Sequence, residues 1–468
     1  MLSCVIDEHP RFHLEALRWY ASLTAVAGVD PADLTVHVVG RNDTDALDVL
    51  RSRGVTVRQI QPFDPRSPHC NKISGALSLA AEGVEGIAVL TDADIVVCED
   101  PRALVLPPGA VASKLVDAPN PPLSIVKEVF EKAGVELPAI VTLDFDSGSQ
   151  TVEGNGNGGL YLIPGSLLGQ VATAWEHWAR WLLDRMEMLG RFGIFVDQLA
   201  MALALRDEGI PTERLEPRWN TPTHVPKRIP DNVERPAVMH YHQNVQSTGL
   251  LSLRGIPAID AQIRACNAAI SKLWSEAFPN ATFWEWRYRS DPNLGSGVGS
   301  RGTPLSDKRE LLVNVLADLR PDSTLDVGSG DGEATRGLAI PHYTGIDQSS
   351  EAVRLGQKAR PGDTFLVGTL ADNPVEADLT ICLDVLIHQS DPSTYSDVVL
   401  GLLRSARKAL LVSGYESPPR SGSPMIHFHE PLSASLRRFA PEADMRLMRE
   451  EHEISTWLVD TRGLSLRD

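Results

Sequence analysis

Two short stretches concentrate the residues able to do chemistry. In "LTDADIVV", Asp92 and Asp94 stand two apart at the end of an apolar run. On an extended backbone such residues point to the same side, so both carboxylates are expected to face one way. Paired carboxylates suit a hard divalent cation, Mn2+ or Mg2+, which neutralises a diphosphate. In "LDVGSGDG", glycines recur at Gly328, Gly330 and Gly332. Glycine permits a sharp turn with positive φ and close approach of a ligand to the peptide groups. Leu325 and Val327 read as the end of a buried strand, and Glu333 to Leu338 as a helix start. Strand, glycine turn and helix open a doubly wound sheet, with the ligand outside the strand's carboxyl end. A dinucleotide fingerprint would need its third glycine at Glu333, so the spacing argues for another ligand.

Further groups follow the glycine turn. "HYTGID" ends in Asp347, about 20 residues on, where such folds place a ribose-binding acid. "ADLTICLDVLIHQ" is a strand running into Asp384 and His388, and "MIHFHEP" supplies His427, His429 and Glu430.

These residues need elements to hold them. Leu2–Ile6 reads as a strand closing on Asp7, and Phe12–Ala25 has helical periodicity. A strand at Leu34–Gly40, a helix around Asp43–Ser52 and a strand at Val55–Ile60 continue a β-α-β-α-β pattern, which predicts a mostly parallel sheet. "SPHCNKISGALSLAAE" is a turn feeding a helix that carries Lys72, and "GIAVLTDADIVV" is one buried strand. Pro107–Gly158 reads as long loops over a cleft. Gln170–Leu189 is a helix with Trp175, Trp178, Leu182 and Met186 on one side, and Ile256–Phe278 is an amphipathic helix. Alternation then restarts, with strands at Leu325, near Thr344, near Phe365, at Leu379–Leu383 and at Ala409–Val412. The expected class is α/β in two domains, 1–255 and 280–468, joined by a helix over 256–279.

Composition narrows the function. A length of 468 residues exceeds one ordinary core. The formal net charge of -17, with no long basic block, argues against nucleic acid or an anionic membrane as partner. Cys4, Cys70, Cys98, Cys266 and Cys382 are scattered without a CxxC, which fits a reducing compartment. The sequence contains no run of about 18 apolar residues, the length that could span a bilayer, so no spanning helix is expected. No secretory leader is read at Met1, so the expected location is the cytoplasm.

Asp326-x-Gly328-x-Gly330-x-Gly332 resembles motif I of class I S-adenosylmethionine-dependent methyltransferases. That resemblance implies a Rossmann-like fold over residues 280–468 and S-adenosylmethionine as cofactor. Asp326, Gly328, Gly330, Gly332, Asp347 and Asp384 are its implied cofactor-binding positions. The preceding "FWEWRYRSDPNLGSGVGSRGTPLSDKRELL" looks like the lead-in of bacterial methyltransferases found with polysaccharide enzymes. Its Gly/Ser-rich part is either a loop closing over cofactor or substrate or a flexible linker. Methyl transfer to a hydroxyl needs an aimed oxygen and removal of its proton. His388 is the expected general base, with His427 and His429 as further catalytic candidates that would orient a sugar or, as the alternative, hold a metal.

The N-terminal features resemble GT-A fold glycosyltransferases of the glycogenin-like and related bacterial type, over roughly Met1–Ala265. Asp92 and Asp94 match the DxD motif, which implies a nucleotide-diphosphate sugar as donor. Asn157 and Gly158, in "NGNGGLYLIP", match a turn placed against the donor sugar. Asp197 and Gln198, in "FVDQLAMALAL", match a helix start meeting sugar or acceptor hydroxyls, with Asp197 a catalytic candidate. "VMHYHQ" offers His240 or His242 as a third metal ligand beside Asp92 and Asp94. Asp7 and Lys72 complete the expected donor-binding set. Read as residues alone, Asn157–Gly158 is also a hairpin turn, Asp197 an N-cap, and any single histidine a core residue.

The two resemblances together imply a bifunctional enzyme. It would add a sugar and a methyl group to hydroxyls of a small-molecule or glycan acceptor, as a monomer or homo-oligomer. The competing expectation is one active domain with the other serving as a docking module.

Overall fold

The computed structural model describes residues 1–225, 229, 233–420 and 422–467. The chain divides into two units, Met1–Ile270 and Ser271–Asp468.

The first unit opens with strand β1 (Leu2–Ile6), helix α1 (Pro10–Ala25), β2 (Leu34–Val39), α2 (Asp45–Ser52) and β3 (Thr56–Ile60). Helix α1 starts where it does because His9 accepts from the Arg11 amide and Pro10 takes a first-turn position that needs no N–H donor. Next come α3 (Asn71–Glu82), β4 (Ile87–Thr91), β5 (Ile95–Val97), β6 (Val111–Leu115), α4 (Leu123–Ala133), β7 (Ile140–Thr142) and β8 (Gln150–Val152). Then follow β9 (Gly156–Pro164), α5 (Gly165–Leu183), α6 (Val196–Asp207), β10 (Thr212–Arg214), β11 (Thr221–Pro222), β12 (Val238–His240) and α7 (Pro257–Glu276). Helix α7 crosses the division between the units.

The main sheet has the order β10-β6-β9-β4-β1-β2-β3, and β11-β12-β5 forms a small second sheet. β1 is parallel to β2 and β4, whereas β9 runs antiparallel to β4 and β6. Trp175, Trp178 and Leu182 of α5 are buried in the core, as their stripe predicts. Burying each such side chain contributes roughly 1.5–3 kcal/mol.

The second unit contains α8 (Asn280–Ser290), α9 (Gly302–Leu319), β13 (Thr324–Val327), β14 (Tyr343–Asp347), α10 (Ser350–Ala359), β15 (Thr364–Val367) and β16 (Ala377–Cys382). It closes with α11 (Pro392–Ser405), β17 (Ala406–Tyr415), α12 (Leu432–Phe439), β18 (Met445–Glu451) and β19 (Ile454–Asp460). Its seven strands are ordered β15-β14-β13-β16-β17-β19-β18. β13 to β17 are mutually parallel, and β18 and β19 are antiparallel. The order reverses beside β13, which puts a crevice at the carboxyl ends of β13 and β16. The α/β class and its two halves are as expected.

Several local expectations are corrected. The run "GIAVLTDADIVV" is two strands, β4 and β5, and Asp92 and Asp94 lie in the break between them. Segment 107–158 is not only loop; it holds β6, α4, β7 and β8, and Val111, Val126, Val129, Phe130 and Val152 of β6, α4 and β8 are buried in the core. No regular helix follows the glycine turn, since residues 331–340 are turns leading to β14. Asn157 and Gly158 belong to β9 rather than to a hairpin turn. The tryptophan helix ends at Leu183, so Met186 sits in a separate 3₁₀ turn. No helix among the described residues is long and apolar enough to cross a membrane. All five cysteines are buried and free.

Candidate active sites

In the first unit, parallel pairing places Cys4 opposite Thr91. Asp7 and the Asp92–Asp94 break therefore share one rim of the sheet. The first turn of α3 brings Lys72 to that rim. Its Nζ lies 2.6 Å from Asp92 Oδ1 and 3.3 Å from Asp197 Oδ2, and donates to Gly158 O at 3.1 Å. Burial works against the Lys72 ammonium, but Asp92 and Asp197 outweigh it, and its pKa is raised.

Asp197 reaches this point because α6 is a core helix, with Val196, Leu199, Ala200, Met201 and Leu203 buried around its axis. Its first turn, which carries Asp197, also favours a negative charge. Trp175 Nε1 on α5 donates to Asp197 O at 2.7 Å and fixes that turn. Gln198 Oε1 accepts from Gly158 N at 3.1 Å. A side chain at Gly158 would place its Cβ 2.7 Å from Lys72 Nζ, so a larger residue there would displace the lysine from its present position.

Asn157 Oδ1 accepts from Gly159 N at 2.9 Å and Asn220 Nδ2 at 3.1 Å, while its Nδ2 donates to Asp117 Oδ2 at 2.8 Å. Asp117 is ion-paired with the fully buried Lys114. Asp117, Asn220 and Lys114 carry no local signal in the sequence; strand pairing alone assembles them.

Asp94 takes different nearest partners from Asp92, though both carboxylates reach His240 Nε2. Its Oδ1 lies 2.9 Å from His240 Nε2, and its Oδ2 3.5 Å from His242 Nδ1. Asp92 Oδ2 remains 3.8 Å from His240 Nε2. Burial opposes ionisation of Asp94, but His240 and His242 outweigh it and hold the carboxylate well below its ordinary pKa. One ligand atom from each of Asp94, His240 and His242 falls within 4.8 Å of the others. Asp7 stands outside both groups: its Oδ1 accepts from His9 N at 2.9 Å, and no hydrogen bond or ion pair joins it to them among the described residues.

In the second unit, Gly328, Gly330 and Gly332 have φ of +73°, +56° and +72°, conformations that favour glycine. Gly330 N donates to Asp347 Oδ2 and Ser349 N to Asp347 Oδ1, each at 2.9 Å. Burial pushes Asp347 up to about 6. Asp326 is only 7% exposed and accepts from Tyr343 OH at 2.7 Å. Burial pushes it, too, up to about 6.

The Gly/Ser-rich segment lies against this turn. A Cβ on Gly330 would come 2.5 Å from Ser296 Oγ and 2.7 Å from Tyr288 OH. Ser296 Oγ donates to Asp331 Oδ1 at 3.2 Å, and Arg301 pairs with Asp331. Lys308 Nζ lies 2.5 Å from Asp384 Oδ2 and 3.2 Å from Ser300 Oγ. Asp384 has φ +61°, unusual outside glycine, and Ser413 both accepts from its amide and donates to its Oδ1.

His388 sits on a 3₁₀ turn, Leu386–His388, just past β16. Its Nδ1 donates to Met425 O at 2.7 Å, and Trp284 packs edge-on at 5.1 Å. Burial lowers its pKa. His427 lies nearby, its backbone N–H donating to Ile387 O at 2.8 Å, and burial lowers its ring pKa to about 4. His429 Nε2 donates to Gln389 O, and Glu430 is bonded to Ser435 and Arg438.

Residues 325–407 match the family model for a methyltransferase domain. The match covers the glycine turn, Asp347, Asp384 and His388, so the second unit contains a methyltransferase domain. No curated protein matches this chain. Among solved structures, the chain is similar to magnesium protoporphyrin IX methyltransferase from Synechocystis PCC 6803 with bound SAM. The identity is 22%, over 41% of this chain and 97% of that one, with a TM-score of 0.29. It is also similar to galactosyltransferase LgtC in complex with donor and acceptor sugar analogs, at 16% identity over 57% and 95% of the two chains, TM-score 0.35. Mouse xyloside xylosyltransferase 1 is 13% identical over 52% and 97%, TM-score 0.35. The glycosyltransferase likeness falls on the N-terminal part.

Proposed function

We propose that this chain is a two-site transferase. Its first unit moves a sugar from a nucleotide-diphosphate donor, and its second moves a methyl group from S-adenosylmethionine to a hydroxyl. The acceptor is a glycan or glycosylated metabolite in the cytoplasm. The observation that carries this reading is that each unit ends its parallel strands in its own cluster of charged groups and closely approached glycines.

In the first unit, Asp94, His240 and Asp92 would hold a divalent ion, Mn2+ or Mg2+, and the donor set of these residues fits one. When bound, such an ion offsets the charge of the departing diphosphate. Lys72 holds Asp92 and Asp197 in place, and Asp197 and Gln198 present acceptors and an amide to sugar hydroxyls. Asn157 and Gly158 bring the β9 backbone close to that space.

In the second unit, the glycine turn is a cradle that a side chain would fill, and Asp347 beside it accepts hydrogen bonds. These features fit the ribose and methionine ends of S-adenosylmethionine, whose sulfonium supplies the methyl group. A carbonyl can only accept, so the bond to Met425 fixes the His388 proton on Nδ1. The neutral ring then offers the Nε2 lone pair to an acceptor hydroxyl.

A screen of nucleotide sugars for transfer or hydrolysis by the full chain, with labelled S-adenosylmethionine in parallel, tests the proposal. A melting temperature raised by a nucleoside diphosphate with Mn2+, and separately by S-adenosylhomocysteine, is expected. No shift with either class of ligand sinks it.

A further inference from the structure

We infer that two arginines, Arg309 and Arg360, take the place of the helix that ordinarily follows the glycine turn of a doubly wound sheet, and that both are positioning residues for the cofactor. This rests on the reading of the second unit as an S-adenosylmethionine site and extends it to what holds that site in shape.

A helix after such a turn satisfies its own carbonyls and fixes the turn ahead of it. Here residues 331–340 form no regular helix. Their backbone bonds make single turns instead, from Gly332 N to Ser329 O, Thr335 N to Gly332 O and Leu338 N to Thr335 O. Side chains from two other elements take the carbonyls. Arg309, on α9, donates from Nη1 to Glu333 O at 2.8 Å and from Nη2 to Arg336 O at 2.7 Å. Arg360, at the end of α10, donates from Nη1 to Thr335 O and, at 3.2 Å, to Leu338 O. Bonds from a charged donor are stronger than neutral ones, and the planar fork of a guanidinium sets their direction.

Arg360 is tied to the turn at two further points. Its helix end abuts the last glycine: a Cβ on Gly332 would come 3.3 Å from Gly356 Cα and 3.4 Å from Ala359 Cβ. Its guanidinium lies over the Tyr343 ring, with Cζ 4.3 Å from the centroid, while Nε donates to Asp363 Oδ2 at 2.7 Å. Tyr343 OH accepts from Thr335 Oγ1 at 3.3 Å and donates to Asp326 Oδ2 at 2.7 Å. Contacts therefore run from Arg360 through Tyr343 to Asp326, two residues before Gly328. Arg360 is 7% exposed, so water screens its charge little.

That charge separates the two arginines. The groups facing Asp326 are Tyr343 and Asp347 of β14, Arg360, Lys308 of α9 and Cys382 of β16. Burial raises the Asp326 carboxyl, and Tyr343, Arg360 and Lys308 work against that rise. Arg360 thus acts on the turn by geometry and by charge, and Arg309 by geometry.

The test is calorimetry of S-adenosylhomocysteine binding to the full-length chain from about pH 5 to about pH 8, with thermal unfolding of each ligand-free variant as the check on folding. Wild-type affinity should fall as pH drops through about 6, where Asp326 and Asp347 gain protons and lose their attraction for the ligand's ammonium group. Arg309→Met should weaken binding by about 10- to 100-fold and leave this acid limb in place. Arg360→Met should weaken it similarly and move the limb to higher pH, since Asp326 loses a cation that favours its ionised form. Arg360→Lys should restore the limb but not the affinity, because an ammonium keeps the charge and lacks the fork. Tyr343→Phe removes the bond to Asp326 and should move the limb in the same direction, which keeps the test open if Arg360→Met folds poorly. Wild-type affinity in folded Arg309→Met or Arg360→Met overturns the inference. So does an acid limb that stays in place in Arg360→Met or in Tyr343→Phe. A wild-type chain that binds no S-adenosylhomocysteine at any pH removes the cofactor reading itself.

Discussion

His388 Nδ1 and the carbonyl oxygen of Met425 are 2.7 Å apart. The carbonyl cannot donate, so the ring carries its proton on Nδ1 and leaves Nε2 bare. Burial lowers the pKa from 6.5, so the ring is neutral at and above that pH. The group loses its base function only when it gains a proton. Methyl-transfer kcat/KM should therefore be level above pH 6.5 and fall on the acid side of it. His388→Ala should lower the rate by about 10²–10⁴-fold and abolish the acid limb. A variant that keeps both rate and limb would remove His388 from the chemistry.

Gly330 tolerates no side chain, by φ of +56° and by the closeness of Ser296 and Tyr288. Gly330→Val should abolish S-adenosylhomocysteine binding in calorimetry, because the cradle is both strained and filled. Ser296→Ala alone should leave binding largely intact, since it removes a neighbour without adding bulk. Undiminished affinity in Gly330→Val would sink the assignment of this turn to the cofactor.

Lys72 is the cation between Asp92 and the 3% exposed Asp197. Lys72→Met leaves a buried carboxylate unpaired, and should cost about 3 kcal/mol of stability. The shift is measurable as a lower denaturant midpoint. Lys72→Met with Asp197→Asn should recover part of that loss, because the unpaired charge is gone. A single variant as stable as wild type would show the pair to be structurally idle.

Asp92→Asn with Asp94→Asn should end sugar transfer while methylation of a supplied glycosylated product persists. His388→Ala should do the reverse. If the methyl group goes on or near the sugar just added, the unglycosylated acceptor should be methylated poorly. Equal methylation of both acceptors, in a labelled-methyl assay, would refute that order. Loss of both activities in each variant would refute separate sites.

Much of this molecule is legible in its residues because the deciding interactions are local. Strand and helix periodicity marks β1 to β4 and α1 to α3, and glycine's access to positive φ marks the turn at Gly328–Gly332. Asp347 is marked as a candidate by its distance of about 20 residues from that turn, and His388 by its place just past the strand read at Leu379–Leu383. The tryptophan stripe of α5 announces a buried face.

What the tertiary structure decides is who meets whom across long separations. Asp92 and Asp94, two residues apart in the break between β4 and β5, take different nearest partners, Lys72 and the His240–His242 pair, while both keep an oxygen within 3.8 Å of His240 Nε2. No spacing rule links residue 94 to residues 240 and 242; antiparallel pairing of β12 with β5 does, setting His240 opposite Ile95. Asn157 finds Asp117 and Asn220 by the same route, through strands far apart in sequence. The tautomer of His388 depends on a carbonyl 37 positions away. Residue types and local periodicity are properties of a few neighbouring side chains, whereas a ligand set is closed by backbone hydrogen bonds between distant strands.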